Sequence, residues 1–157
     1  MGVEIERKFL LRDGSWRKDA EPGIHYMQGY MRFSKGVLRA RVAGEKAFLT
    51  LKGAVKNASR LEFEYPIPRE DAEAILRSLA EGPFIEKTRY IVRHHSFIWE
   101  IDEFAGDNSG LTVAEIELED ERQGFPRPSW LGEEVTSDMR YSNSNLAANP
   151  FSKWSVE

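Results

Sequence analysis

The sequence predicts a mainly β protein, α+β in class, with eight antiparallel strands and a few helices outside them. Three features carry that expectation. Short runs alternate apolar and polar residues between turn residues, as antiparallel strands and hairpins do. Nearly every run has a charged side, not merely a polar one. One segment clearly shifts to a helical period. The chain has 157 residues, 41% of them hydrophobic, which suits a single domain over residues 1–157 with its own core.

The first strand is expected over residues 3–11, where Glu4, Glu6 and Lys8 share one side and Ile5 takes the other. The stretch 12–23 lacks periodicity and reads as an exposed loop. Strands follow over 25–33, 37–43, 46–53 and 59–67. Ser34-Lys35-Gly36 and Ala43-Gly44-Glu45 are hairpin-sized breaks between them. Residues 69–80 form the clear helix. Ala72, Ile75, Leu76 and Leu79 recur at helical spacing, Glu70 and Asp71 occupy the first turn, and Gly82-Pro83 follow the end. Strands resume over 85–95, 96–104 and 111–120. A weaker helix is expected over 138–148, stopped by Pro150, with residues 151–157 as a tail or loosely docked segment.

Composition excludes several classes. A net charge of −4 argues against a protein that grips nucleic-acid backbones, which is usually basic. Without cysteine there are no disulfides or thiolate metal sites. The N-terminus shows no signal-peptide pattern, and no apolar run approaches a membrane span of about 18 residues. A cytoplasmic location is therefore expected, with no nucleic-acid or membrane partner.

The alternation recurs along the chain. Arg39 and Arg41 share a side, as do Thr50 with Lys52, Glu62 with Glu64, Lys87 with Arg89, Glu100 with Asp102, and Glu115 with Glu117. Gln28, Tyr30 and Arg32 share a softer one. For any single strand, an open sheet with one wet face explains this best. The set argues differently, because acids and bases are sorted by strand and Arg is favoured over Lys. Eight strands suffice to close a barrel around a ligand. Its apolar faces would then look outward, under the helix at 69–80 and the C-terminal segment. A lumen holding both bases and paired acids suits a polyanion carrying divalent cations, since each unmet charge is costly in a poorly solvated interior. A phosphate chain with Mg²⁺ or Mn²⁺ matches, because hard cations take carboxylate and phosphate oxygens.

The opening EIERKFL resembles the ExExK signature of the CYTH superfamily, the triphosphate tunnel metalloenzymes. LRARV, TLKG, RLEFEYPI, EKTRY, WEIDEF, VAEIELE and GEEVTSDMRYSNSNLA follow in the family's order over nearly the whole chain. The resemblance implies an eight-stranded antiparallel β barrel, a tunnel with a charged lumen, and metal-dependent hydrolysis of inorganic triphosphate or a related triphosphate compound. It further implies two ions of Mg²⁺ or Mn²⁺, held by Glu4, Glu6, Asp102, Glu115 and Glu117. Lys8, Arg39, Arg41, Lys52, Lys87, Arg89 and Arg140 correspond to phosphate-binding bases, Arg140 as part of a lid. Lys8, Glu62, Glu64 and Tyr30 are the candidate catalytic groups, with Glu62 or Glu64 accepting the proton of the attacking water. The family also holds class four adenylyl cyclases and thiamine triphosphatases, and a non-catalytic polyphosphate-binding module is a further alternative. The outward apolar faces would also suit a homodimer. His94 and His95, as strand neighbours, point to opposite faces and do not chelate one ion; His25 stands alone. The four tryptophans read as packing or loop residues, and no HExxH, Walker A or GxGxxG pattern occurs.

Overall fold

The computed structural model describes residues 2–154. Among them, nine strands run in the order β1 Val3–Leu11, β2 Ile24–Phe33, β3 Gly36–Ala43, β4 Lys46–Gly53, β5 Ser59–Pro66, β6 Glu81–His94, β7 Phe97–Phe104, β8 Thr112–Glu117 and β9 Leu131–Glu134. Helix α1 spans Arg69–Ser78 and α2 spans Asn143–Ala148. All pairings are antiparallel, in the order β5-β4-β3-β2-β6-β7-β8-β1. β1 then returns to β5 through Val3↔Leu61, Glu4↔Arg60 and Ile5↔Ser59, so the eight strands form a ring. β9 takes over the same edge of β1 from Phe9 onward. It was not anticipated, because four residues are too few to display a period.

Curling the sheet sends one side of each strand inward and the other outward. Outside, Phe9, Trp99, Ile101, Ala114 and Ile116 pack with Trp130 in a core that loops cover. One of those loops was expected to be exposed and structureless. Residues 12–23 instead contain a 3-10 turn, Ser15–Asp19, that buries Trp16 against Tyr90 at 5.2 Å between rings. A single aromatic anchor leaves no periodic signature, which is why pattern reading missed it. Helix α1 lies over β3 and β4, with Ala72 and Leu76 on Ala40, Val42 and Ala47. A side chain at Gly29 would stand 2.8 Å from both Leu76 and Ala80, so glycine permits the close approach. Beyond α1, the outer side chains Leu51, Leu61, Phe63 and Tyr65 remain exposed.

Some element boundaries moved. β6 begins at Glu81 and not near 85, so Gly82-Pro83 lies within a strand. The β2–β6 register shifts between Gln28 and Tyr30 beside it, and such an irregularity tolerates a proline without an N–H. The C-terminal segment also sits elsewhere than expected. It does not cover the outer face. Leu146 and Ala147 pack with Ile85, Phe104 and Val113, and Leu10 joins them. Leu10, Ile85, Phe104 and Val113 lie two residues along from Lys8, Lys87, Asp102 and Glu115, on the same inner side of their strands. The charged interior therefore becomes apolar at one end of the ring, and α2 closes it. Residues 151–154 dock through Trp154, which meets Phe151 and Tyr141 at 5.2 and 5.1 Å; the remaining tail, 155–157, lies outside the described residues.

Candidate active site

Within the ring is a cavity of about 210 Å³ with almost wholly charged walls. β1 contributes Glu4, Glu6 and Lys8; β2, Tyr30; β3, Arg39 and Arg41; β4, Lys52; β5, Arg60, Glu62 and Glu64. β6 contributes Lys87 and Arg89, β7 Glu100, β8 Glu115 and Glu117, and the start of α2 Ser142, Asn143 and Ser144. Strand register produces this set. Lys8 stands opposite Glu115, Glu6 opposite Glu117, Arg39 opposite Thr50, and Lys52 opposite Glu62. A slip of one residue in any strand would turn its charges out to solvent.

The bases divide by how they are held. Lys87 and Asp102 are each 1% exposed and bond at 2.7 Å. Arg89 grips the same carboxylate through Nε at 2.7 Å and Nη2 at 2.9 Å. With both oxygens taken, Asp102 is held well below the usual carboxylate range despite burial, chiefly by Arg89 and then Lys87. Burial pushes the Lys87 ammonium down to about 7; Asp102 opposes that fall, and Arg89 and Arg41 add to it. Burial lowers Arg41 to about 10, with Arg39 and Arg89 contributing. Arg39 donates to Glu64 and Thr50 through Nη2, but its buried Nε has no partner among the described residues. A buried donor left unpaired in a polar cavity marks a place for an acceptor from outside the protein.

The acids are under opposite strain. Burial raises Glu6 to about 8, with the charge of Glu115 adding and Lys8 opposing. Burial likewise raises Glu4 to about 7 against the pull of Lys52, and contact with Glu62 raises it further. Burial would also raise Glu62, but the proton of Glu4 and the ammonium of Lys52 hold it down to about 2. Glu4 and Glu62 both accept from Lys52, whose Nζ lies 3.1 and 3.0 Å from them. Burial, then Glu100 and Glu62, raise Glu117. Among the described residues no three acids form a ready cage for an ion. The donor set nevertheless fits Mg²⁺ or Mn²⁺. Such ions take one or two carboxylates and complete their shells with phosphate oxygens and water, and a cation would displace the protons that burial and like charge hold on Glu4 and Glu6.

The structure brings together Glu4, Glu6, Lys8, Tyr30, Arg39, Arg41, Lys52, Glu62, Glu64, Lys87, Arg89, Glu115 and Glu117, all anticipated from alternation. Two anticipated residues stand elsewhere. Asp102, expected as a metal acid, does not line the cavity and is occupied by Lys87 and Arg89. Arg140 lies outside it, exposed, paired with Asp138 at 2.7 Å and stacked over Trp154. Glu100 and Arg60 were legible by the same period of two but were not singled out. Gln28, fully buried behind the wall, and Asn143 were not legible as site residues. Gln28 is neutral, and Asn143 belongs to no strand.

This geometry can be compared with known proteins. The CYTH domain family model matches residues 2–150. The chain belongs to the CYTH family. The CYTH chain is 49% identical to an inorganic triphosphatase of Acetivibrio thermocellus, over 96% of this chain and 97% of that protein. It is 40% identical to an inorganic triphosphatase of Nitrosomonas europaea, over 92% and 97%. The solved structure of an inorganic triphosphatase superposes with a TM-score of 0.65 at 37% identity, covering 91% of this CYTH chain and 96% of that one.

Proposed function

We propose that the protein hydrolyses inorganic triphosphate to phosphate and pyrophosphate, using Mg²⁺ or Mn²⁺, with two ions as the expected number. One observation carries this reading: buried bases and strained acids face one another across a cavity of about 210 Å³. That volume is below the roughly 300–1,000 Å³ of pockets enclosing larger organic ligands. Apart from Val37 and the Tyr30 ring, the lining is polar or charged, so there is no apolar ledge for adenine or thiamine. Both points favour the bare phosphate chain over ATP or thiamine triphosphate. Identities of 49% and 40% to inorganic triphosphatases support the same choice.

Phosphoryl transfer asks mainly for alignment and neutralisation of charge. Arg39, Arg41, Lys52 and Arg89 would hold the phosphate oxygens, and Lys8 would do so beside Glu115. Glu4, Glu6, Glu115 and Glu117 would hold the cations, and Asp102 would instead position Lys87 and Arg89, which it bonds at 2.7 Å. When bound, a divalent cation would withdraw charge from the phosphates and acidify water. Hydrolysis adds one water, cleaves one P–O–P link and releases one proton near neutral pH. Glu62, held at about 2, is a weak base for that proton. Lys87 is better suited. A neutral lysine has two N–H groups and one lone pair. Asp102 and Asn143 accept the two N–H groups at 2.7 and 2.8 Å, which leaves the lone pair for the cavity.

The test is a phosphate-release assay with tripolyphosphate, ATP and thiamine triphosphate side by side. Release from tripolyphosphate, dependent on added Mg²⁺ or Mn²⁺ and abolished by EDTA, is expected. A protein that binds tripolyphosphate and releases nothing would instead be the non-catalytic binding module.

A further inference from the structure

We propose that Asn143, the first residue of α2, is a further substrate-contacting residue. Its side-chain NH₂ donates to an oxygen of the anion at the inner end of the cavity, and Gln28 sets its direction. The nature of the anion rests on the triphosphate reading above.

The argument is one of donors and acceptors. Gln28 is 0% exposed. Its Oε1 lies 2.7 Å from Nε of Arg41, and a guanidinium offers only donors, so the amide cannot be turned over. Its NH₂ therefore faces the Tyr30 hydroxyl at 2.6 Å and Oδ1 of Asn143 at 3.2 Å. The same Oδ1 accepts from Nζ of Lys87 at 2.8 Å. Turning Asn143 over would set its NH₂ against two donors, the Gln28 amide and the Lys87 ammonium. Its orientation is thereby fixed, with oxygen toward Lys87 and Gln28. Asn143 also lines the cavity, so the remaining NH₂ is the end offered to a ligand. The Tyr30 hydroxyl, which accepts from Gln28, keeps its own proton for the same space. Both donors are neutral, so they bind an anion without adding positive charge beside Lys87, Arg41 and Arg89.

Asn143→Asp and Asn143→Ala decide the matter, with tripolyphosphate affinity read by calorimetry in EDTA, where no hydrolysis occurs, and phosphate release measured in parallel with Mg²⁺. Asn143→Asp keeps an oxygen for Lys87 and Gln28 but replaces the donor with a second oxygen. A hydrogen bond to a charged group is worth about ten-fold or more in affinity. Asn143→Ala is expected to weaken binding by about that factor, and Asn143→Asp by at least as much, because its carboxylate repels the anion. If Asn143 merely braced Lys87, Asn143→Ala would cost no further affinity in a Lys87→Met background, and that result overturns the proposal. Gln28→Met, which frees the Asn143 amide to turn, is expected to produce a smaller loss; unchanged affinity there removes Gln28 from the role. Melting curves establish folding, and Asn143→Leu, of similar shape and without a donor, replaces any variant that does not fold: wild-type affinity in it also overturns the proposal. If the wild type binds tripolyphosphate without cleaving it, the hydrolytic reading falls, while the affinities still decide Asn143.

Discussion

Lys87 shows how a single side chain acquires chemistry from its surroundings. In sequence it is one of three bases on its strand, with Arg89 and Arg93, and distinguishable from Arg89 only in type. In the folded chain it is fully enclosed and shifted to about 7, where a base is most useful near neutral pH. The expected signature is a kcat/KM that rises with pH through about 7, as Lys87 of the free enzyme loses its proton. Lys87→Met is expected to lower kcat by roughly 10²–10⁴-fold and to abolish that rising limb. Profiles of kcat/KM from pH 5.5 to 9 at saturating Mg²⁺ check this; an unchanged limb in Lys87→Met would assign the titration to another group. Asp102 teaches the complementary lesson. A carboxylate beside bases reads equally well as a metal ligand or as a brace, and only its two occupied oxygens distinguish the roles.

At the level of elements, the strands were readable and the connectors were not. Alternation is a local property, so Arg39 with Arg41 and Glu115 with Glu117 could be assigned to shared faces from order alone. Trp16, β9 and the docking of α2, whose helix was expected within 138–148, are fixed by what they meet across the fold, which no local period records. Helix α2 matters most, because it closes one end of the ring and brings Asn143 to the cavity. Its Leu146 is fully buried among Ile85, Phe104 and Val113. Leu146→Ala is expected to cost about 2–5 kcal/mol of stability, as buried leucines do. Leu79→Ala, at a position 64% exposed just beyond α1, is expected to fall within about 0.5 kcal/mol of wild type. Urea unfolding of the two variants checks the contrast; equal losses would mean that α2 does not seal the ring.

At the level of the whole molecule, the charged interior makes stability depend on what fills it. Glu4 and Glu6 are raised from 4.5 to about 7 and about 8, so the folded protein retains protons that the unfolded chain releases. Their stabilising contribution is complete below pH 4.5 and is lost as pH rises toward 8. Lys87, lowered from 10.5 to about 7, contributes oppositely, but only above pH 7. In EDTA the melting temperature is therefore expected to fall between pH 5 and 7, and Glu4→Gln with Glu6→Gln together should flatten that slope. Mg²⁺ with tripolyphosphate should reverse the fall, by about 2.7 kcal/mol at 100 times the dissociation constant. Differential scanning calorimetry across that pH range, with and without the ligand, provides the check. The sequence by itself determined the strands, the sorting of charge onto one side of each, and a family resemblance that the CYTH match over residues 2–150 established. Only the tertiary structure decided that the ring meets itself at β1 and β5, that α2 closes one end, and which charges stay free for a ligand. The physical reason is one of range. Side-chain alternation is written residue by residue along a strand, whereas ring closure, burial and the satisfaction of each donor depend on partners as far apart in the chain as Lys87 and Asn143.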